Sequence, residues 1–74
     1  MDKLLEILKE IMPGCDVENE QDFIGNKKLD SFSIMRLVVK ISDEFDVEIT
    51  PVDMVPENFK NATTIMNLIR KLED

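Results

Sequence analysis

Asp30, Ser31 and Phe32 stand where a polar stretch of this 74-residue chain gives way to its longest amphipathic helical pattern. An aspartate before a helical run is a natural N-cap, because its carboxylate accepts backbone N–H groups that the first turn leaves free. Ser31 then becomes the first helical residue, with its hydroxyl exposed. A phosphate on that hydroxyl would meet unpaired N–H groups and the positive end of the helix dipole. The serine therefore reads as an attachment point rather than as a nucleophile. Ser33 and Ser42 match it in residue type only, since neither follows an aspartate.

Other chemistry is poorly provided for. The chain has no histidine, and Cys15 is its single cysteine, so neither an acid–base pair nor a nucleophile–base pair is evident and no disulfide closes within the chain. Asp16, Glu18, Glu20 and Asp22 alternate like a calcium loop. The sixth position from Asp16, however, is Gln21 instead of Gly, and the twelfth is Lys27 instead of Glu, which favours a solvated acidic loop. Sixteen acidic against nine basic residues give a net charge of −7, which disfavours nucleic acid and anionic membranes and suits partners with basic patches. The apolar runs are too short for a signal peptide or a membrane span, and the lone cysteine fits a reduced, cytoplasmic setting.

The elements that must position Ser31 follow from apolar spacing. Leu4, Ile7, Leu8, Ile11 and Met12 predict a helix over residues 2–12, stopped by Pro13-Gly14. Residues 13–29 form a long connection in which Val17, Phe23, Ile24 and Leu29 are the groups able to pin it to the helices. Ile34, Val38, Ile41 and Phe45 recur at i, i+4, i+7 and i+11 and predict a second helix from Ser31 to Phe45. Phe32 is expected to bury against the core and set the direction of that helix start. Pro56 and Glu57 permit a short helix or 3₁₀ turn through Phe59. A last helix, capped by Thr63 or Thr64, carries Ile65, Leu68, Ile69 and Leu72. The 43% apolar fraction is mostly aliphatic, with Phe as the sole aromatic type, so residues 1–74 are expected to be one all-α domain, a small bundle around an aliphatic core.

These residues resemble the acyl carrier protein family over nearly the whole chain. The resemblance centres on Leu29-Asp30-Ser31-Phe32 followed by Met35, Leu37, Val38, Ile41 and Phe45, and it extends to the long preceding loop, to Asp43-Glu44-Phe45 and to Thr63-Thr64-Ile65. It implies a three- to four-helix bundle with a long loop between helices one and two. It further implies that Ser31 receives 4′-phosphopantetheine from coenzyme A through a phosphopantetheinyl transferase, with Asp30 and Phe32 flanking the site. The arm would hold an acyl or aminoacyl group as a thioester. An activating ligase and downstream transferase or synthase enzymes would then act on the cargo, and the chain, as a monomer, would catalyse nothing.

The second helix departs from the family's acidic pattern. The docking positions that the resemblance implies hold Ser33, Arg36, Val39, Lys40 and Asp43, two of them basic, and partners that read an acidic helix would meet like charge there. With the Pro56-Glu57-Asn58-Phe59 segment, this is similar to D-alanyl carriers and carriers of specialised pathways rather than to fatty-acid synthesis carriers. A groove lined by Met35, Met54 and Phe59 is a further expectation, as shelter for an aliphatic cargo. Two alternatives stay open: an unmodified acidic helical interaction module, and a fatty-acid synthesis carrier.

Overall fold

A computed structural model describes residues 2–73. In chain order it has α1 (Asp2–Ile11), α2 (Ser31–Phe45), 3₁₀ turns at Pro51–Asp53 and Pro56–Phe59, and α3 (Ala62–Glu73), with no strand among the described residues. The architecture is all-α, as the spacing predicts. The apolar face of α1 buries Leu4, Ile7, Leu8 and Ile11. Leu37 and Ile41 of α2 are fully buried, with Ile34, Val38 and Phe45 partly buried against the same cluster. Ala62, Ile65, Leu68 and Ile69 of α3 complete it. Helix α1 packs on both α2 and α3, and α3 packs on the second 3₁₀ turn.

Two phenylalanines without any exposure, Phe23 and Phe59, bind the irregular segments to this core. Phe23 anchors the connection between α1 and α2. Its N–H donates to the Lys60 carbonyl at 2.6 Å, and its own carbonyl accepts from the N–H groups of Lys28 at 2.7 Å and Leu29 at 3.1 Å. Asn61 Nδ2 adds a bond to the Gln21 carbonyl at 3.1 Å. The connection is thus fastened to the junction between the second 3₁₀ turn and α3. Val17 and Leu29 are buried beside Phe23, while Ile24 is only partly covered.

The start of α3 differs from expectation. Neither Thr63 nor Thr64 is the cap: Asn61 Oδ1 accepts the Thr64 N–H at 2.9 Å, and Thr64 Oγ1 accepts the Asn61 N–H at 3.1 Å. This reciprocal pair places the helix start at Ala62, with Thr64 closing the box in the role that Glu or Gln more often fills. The expected Met35–Met54–Phe59 groove also fails to form. Phe59 is wholly inside the core and Met35 is mostly exposed, so the two do not line one surface.

Between α1 and α2, Lys40 Nζ meets Glu10 Oε1 at 3.2 Å. Lys3 Nζ donates to the Glu44 carbonyl at 3.3 Å and stands 5.6 Å from the centre of the Phe45 ring. Both contacts are solvated, so they orient the helices more than they stabilise them. Replacing Phe23 by Ala should cost about 3–5 kcal/mol, against roughly 4–11 kcal/mol for a chain of this size at 0.05–0.15 kcal/mol per residue. Asn61→Ala should cost about 1 kcal/mol. Urea denaturation followed by circular dichroism reads both, and a Phe23→Ala variant as stable as wild type would show that the connection is not anchored there.

Candidate functional site

Helix α2 begins at Ser31 because two neighbouring side chains fix that point. Asp30 has extended backbone, with φ −114° and ψ −179°, and its Oδ1 accepts the Ser33 N–H at 2.8 Å. The next rung follows at once, as the Ile34 N–H donates to the Asp30 carbonyl at 2.9 Å. Leu29, one residue earlier, is buried, and Ile34 is partly buried in the same cluster. These two occupy the positions of an apolar staple across a helix start. The opposite end closes at Asp46, whose left-handed backbone (φ 53°) terminates α2.

Phe32 does not take the part expected of it. It is 71% exposed, and Leu29 does the anchoring instead. The reason is angular: at 100° per residue Phe32 lies about 180° around the helix from Ile41, which is fully buried. The spacing of Phe32, Arg36 and Val39 opposite the Ile34–Ile41 face was the signal for this outward placement.

Ser31 is exposed at the first position of α2. Its N–H and that of Phe32 belong to the first turn, which has no preceding turn to receive them, so an anion on the Ser31 oxygen would find donors and a favourable dipole there. The exposed position leaves room for a substituent on that oxygen. The Asp30 carboxyl is held below its ordinary pKa, chiefly by the Ser33 N–H and then by the Ser33 hydroxyl. An ionised carboxylate committed to a cap is a poor proton acceptor for its neighbour.

Of the expected docking positions, Arg36, Val39 and Asp43 are exposed, and Val39 is 68% so. Ser33 is half-buried, with its N–H given to Asp30. Lys40 turns to Glu10 of α1 and so shares its charge with a partner within the chain. The exposed surface also includes Met35 at 62% and Val52 at 84%, which sequence reasoning did not place there. A shallow hollow on α2, about 640 Å³ and open to solvent, is lined by Val38, Val39, Lys40, Ser42 and Asp43. It is a surface feature and not an internal chamber. Among the described residues there is no cluster of metal-ligating side chains, and no helix is long and apolar enough to cross a membrane.

A small helical bundle that exposes a serine at the first position of its second helix has the build of a carrier domain. Residues 2–72 match the family model described as "Phosphopantetheine attachment site". The chain is also 34% identical over 73 residues to an acyl carrier protein of Thermobifida fusca (strain YX), covering 96% of this chain and 90% of that one. The chain therefore belongs to the acyl carrier protein family, the phosphopantetheine-bearing carriers served by phosphopantetheinyl transferases and acyl-handling enzymes.

Because the folded pKa of Asp30 is lowered, its stabilising effect is complete above the ordinary aspartate value of 3.8 and is lost as pH falls through the lower folded value. Asp30→Asn keeps a capping oxygen without the charge. Its melting temperature should fall below that of wild type at neutral pH, and the gap should close under acid; a gap independent of pH would contradict this account of the cap.

Proposed function

We propose that Ser31 is the attachment residue, bearing 4′-phosphopantetheine as a phosphodiester, and that the chain carries an acyl or aminoacyl group for partner enzymes without catalysing a reaction itself. The observation that carries this reading is the exposed Ser31 hydroxyl at the first position of α2, directly after the Asp30 cap. In the attachment step the Ser31 oxygen forms a bond to the pantetheine-bearing phosphorus of coenzyme A as the pyrophosphate P–O bond on its nucleotide side breaks; the hydroxyl proton is taken by a base and the nucleotide leaves with the other phosphate. Asp30 is engaged as a cap, so the base for that proton is assigned to the transferase. When bound, the group supplies a terminal thiol on which the cargo is held as a thioester. Asp30 orients the helix start, and Phe32 flanks the serine as an exposed contact for partners.

The pathway is read from α2 and the segment after it. Arg36 and Lys40 stand where an acidic face would serve fatty-acid synthesis partners, and Pro56-Glu57-Asn58-Phe59 forms a compact 3₁₀ turn stitched to its neighbours by the Asn58 side chain, which donates to the Asp53 carbonyl at 2.8 Å. These features support a D-alanyl or other specialised carrier, loaded by an activating ligase. We place it in the cytoplasm, as one domain acting as a monomer.

Incubation with coenzyme A and a broad-specificity phosphopantetheinyl transferase should add the mass of one phosphopantetheinyl group, and Ser31→Ala should abolish the addition. An unchanged wild-type mass, or modification surviving in the variant, would sink the assignment. Recovery from cells with a long-chain fatty acyl group as the main cargo would overturn the specialised-pathway reading while leaving the attachment site intact.

A further inference from the structure

Asn61 uses both ends of its side chain. Its Oδ1 accepts the Thr64 N–H at 2.9 Å and caps α3, while its Nδ2 donates to the Gln21 carbonyl at 3.1 Å. The two partners fix the orientation of the carboxamide, because an N–H needs an acceptor and a carbonyl needs a donor. An aspartate caps a helix as well as an asparagine does, yet it has no donor for the carbonyl. The cap alone therefore does not account for the residue type at position 61. One residue earlier, the Lys60 carbonyl accepts the Phe23 N–H at 2.6 Å. Lys60 and Asn61 together clasp residues 21 and 23 of the first connection, a segment distant from them in the chain.

From Asp22 onward the connection is closed on itself as far as α2. The Asp22 carbonyl accepts the Asn26 N–H at 3.1 Å, the Ile24 carbonyl the Lys27 N–H at 3.1 Å, and the Phe23 carbonyl the N–H groups of Lys28 and Leu29 at 2.7 and 3.1 Å. Asp22 Oδ1 takes the Gly25 N–H at 2.7 Å, and a Cβ at position 25 would displace the carboxylate that makes this bond. Lys27 turns the corner with left-handed backbone, φ 59°. Leu29 is buried and Asp30 follows it directly. The clasp, the turn and the start of α2 are thus connected in series.

A helix start held by its cap alone would fray, since one cap of ordinary strength favours the closed form by only about fivefold. Ser31 stands at this weak point. Resting on Ser31 as the attachment residue, we infer that Asn61 is a positioning residue for the attachment reaction, acting through Gln21 and Phe23 to keep Leu29 and Asp30 where they set the first turn of α2. Opening of the clasp frees the connection and lowers the fraction of molecules that present Ser31 to the transferase. A substrate whose competent form is partly populated is bound more weakly in proportion, while turnover of the bound form is unaffected.

The test compares two full-length variants, Asn61→Asp and Thr64→Val. Asn61→Asp retains an oxygen for the α3 cap but sets a carboxylate oxygen against the Gln21 carbonyl in place of the donor. Thr64→Val removes the hydroxyl that accepts the Asn61 N–H and leaves the carboxamide and its bond to Gln21 in place. With coenzyme A and a purified broad-specificity phosphopantetheinyl transferase, Asn61→Asp should raise KM for the carrier by about threefold or more with kcat retained, the factor by which loss of one hydrogen bond shifts an opening equilibrium. Thr64→Val should keep KM within about twofold of wild type, even where urea denaturation shows lower overall stability. Hydrogen exchange should divide the variants in the same way, with amide protection of Leu29 and Ser33 falling about fivefold in Asn61→Asp and not in Thr64→Val. Asn61→Ser, a cap with no amide to donate, takes the place of Asn61→Asp with the same expectations should the latter not fold. A KM for Asn61→Asp equal to that of wild type would overturn the inference. An equal rise in both variants would overturn it too, by assigning the effect to general stability. Failure of wild type to gain the phosphopantetheinyl mass would end the attachment reading, and any positioning role for Asn61 with it.

Discussion

The bond from the Ser33 N–H to the Asp30 carboxylate, together with the burial of Leu29 one residue before, fixes where α2 begins and how it is rotated. Every other property of the site depends on that rotation. With the first helical residue set at Ser31, Leu37 and Ile41 are driven into the core, and Phe32, Arg36 and Val39 are left outside. A start displaced by one residue would turn the helix by about 100° and bring a charged side chain toward the aliphatic interior. The cap thus aligns the serine with the face that a partner would meet.

The long connection before α2 is ordered by the same economy of few, well-placed groups. Phe23 is completely buried in the core and its backbone bonds to both Lys60 and the residues leading into Asp30. One residue therefore links the position of the α2 start to the second 3₁₀ turn and to α3. On the far side, Asn61 and Thr64 cap α3, while Asn58 holds the turn that follows Asp53. The polar side chains of these segments spend their hydrogen bonds on backbone groups that irregular structure leaves free. The result is a serine mounted on a helix whose start is braced from several directions.

Electrostatics divides the surface by element. Carboxylates concentrate on α1, on the first connection and after Ser42, so the chain is acidic as a whole while the first turns of α2 are not. The Lys40–Glu10 contact removes one of the two cations from that region and leaves Arg36 as its distinguishing charge. Net charge and local charge thus give opposite impressions of what suits this protein as a partner. A close contact is governed by the local one, because exposed charges beyond about 10 Å are screened at ordinary ionic strength.

The sequence by itself determined the helices, the aliphatic core and the place of Ser31, since apolar spacing and an aspartate before a helical run are local signals that packing here did not override. It also marked Val17, Phe23 and Leu29 as anchors of the first connection. Phe32 is hydrophobic and adjacent to the serine, so its residue type suggested burial, whereas its spacing opposite Ile41 marked the solvent side that it takes. Tertiary structure alone decided the rest. Lys40 is indistinguishable from Arg36 as a cation in sequence, and only the approach of α1 gives it Glu10. Asn61 displaced Thr63 and Thr64 as the cap because the chain's path from the second 3₁₀ turn brings its carboxamide oxygen to the Thr64 N–H. Sequence periodicity gives the angle of a side chain about its own helix; which arc of that circle is covered depends on neighbours distant in the chain.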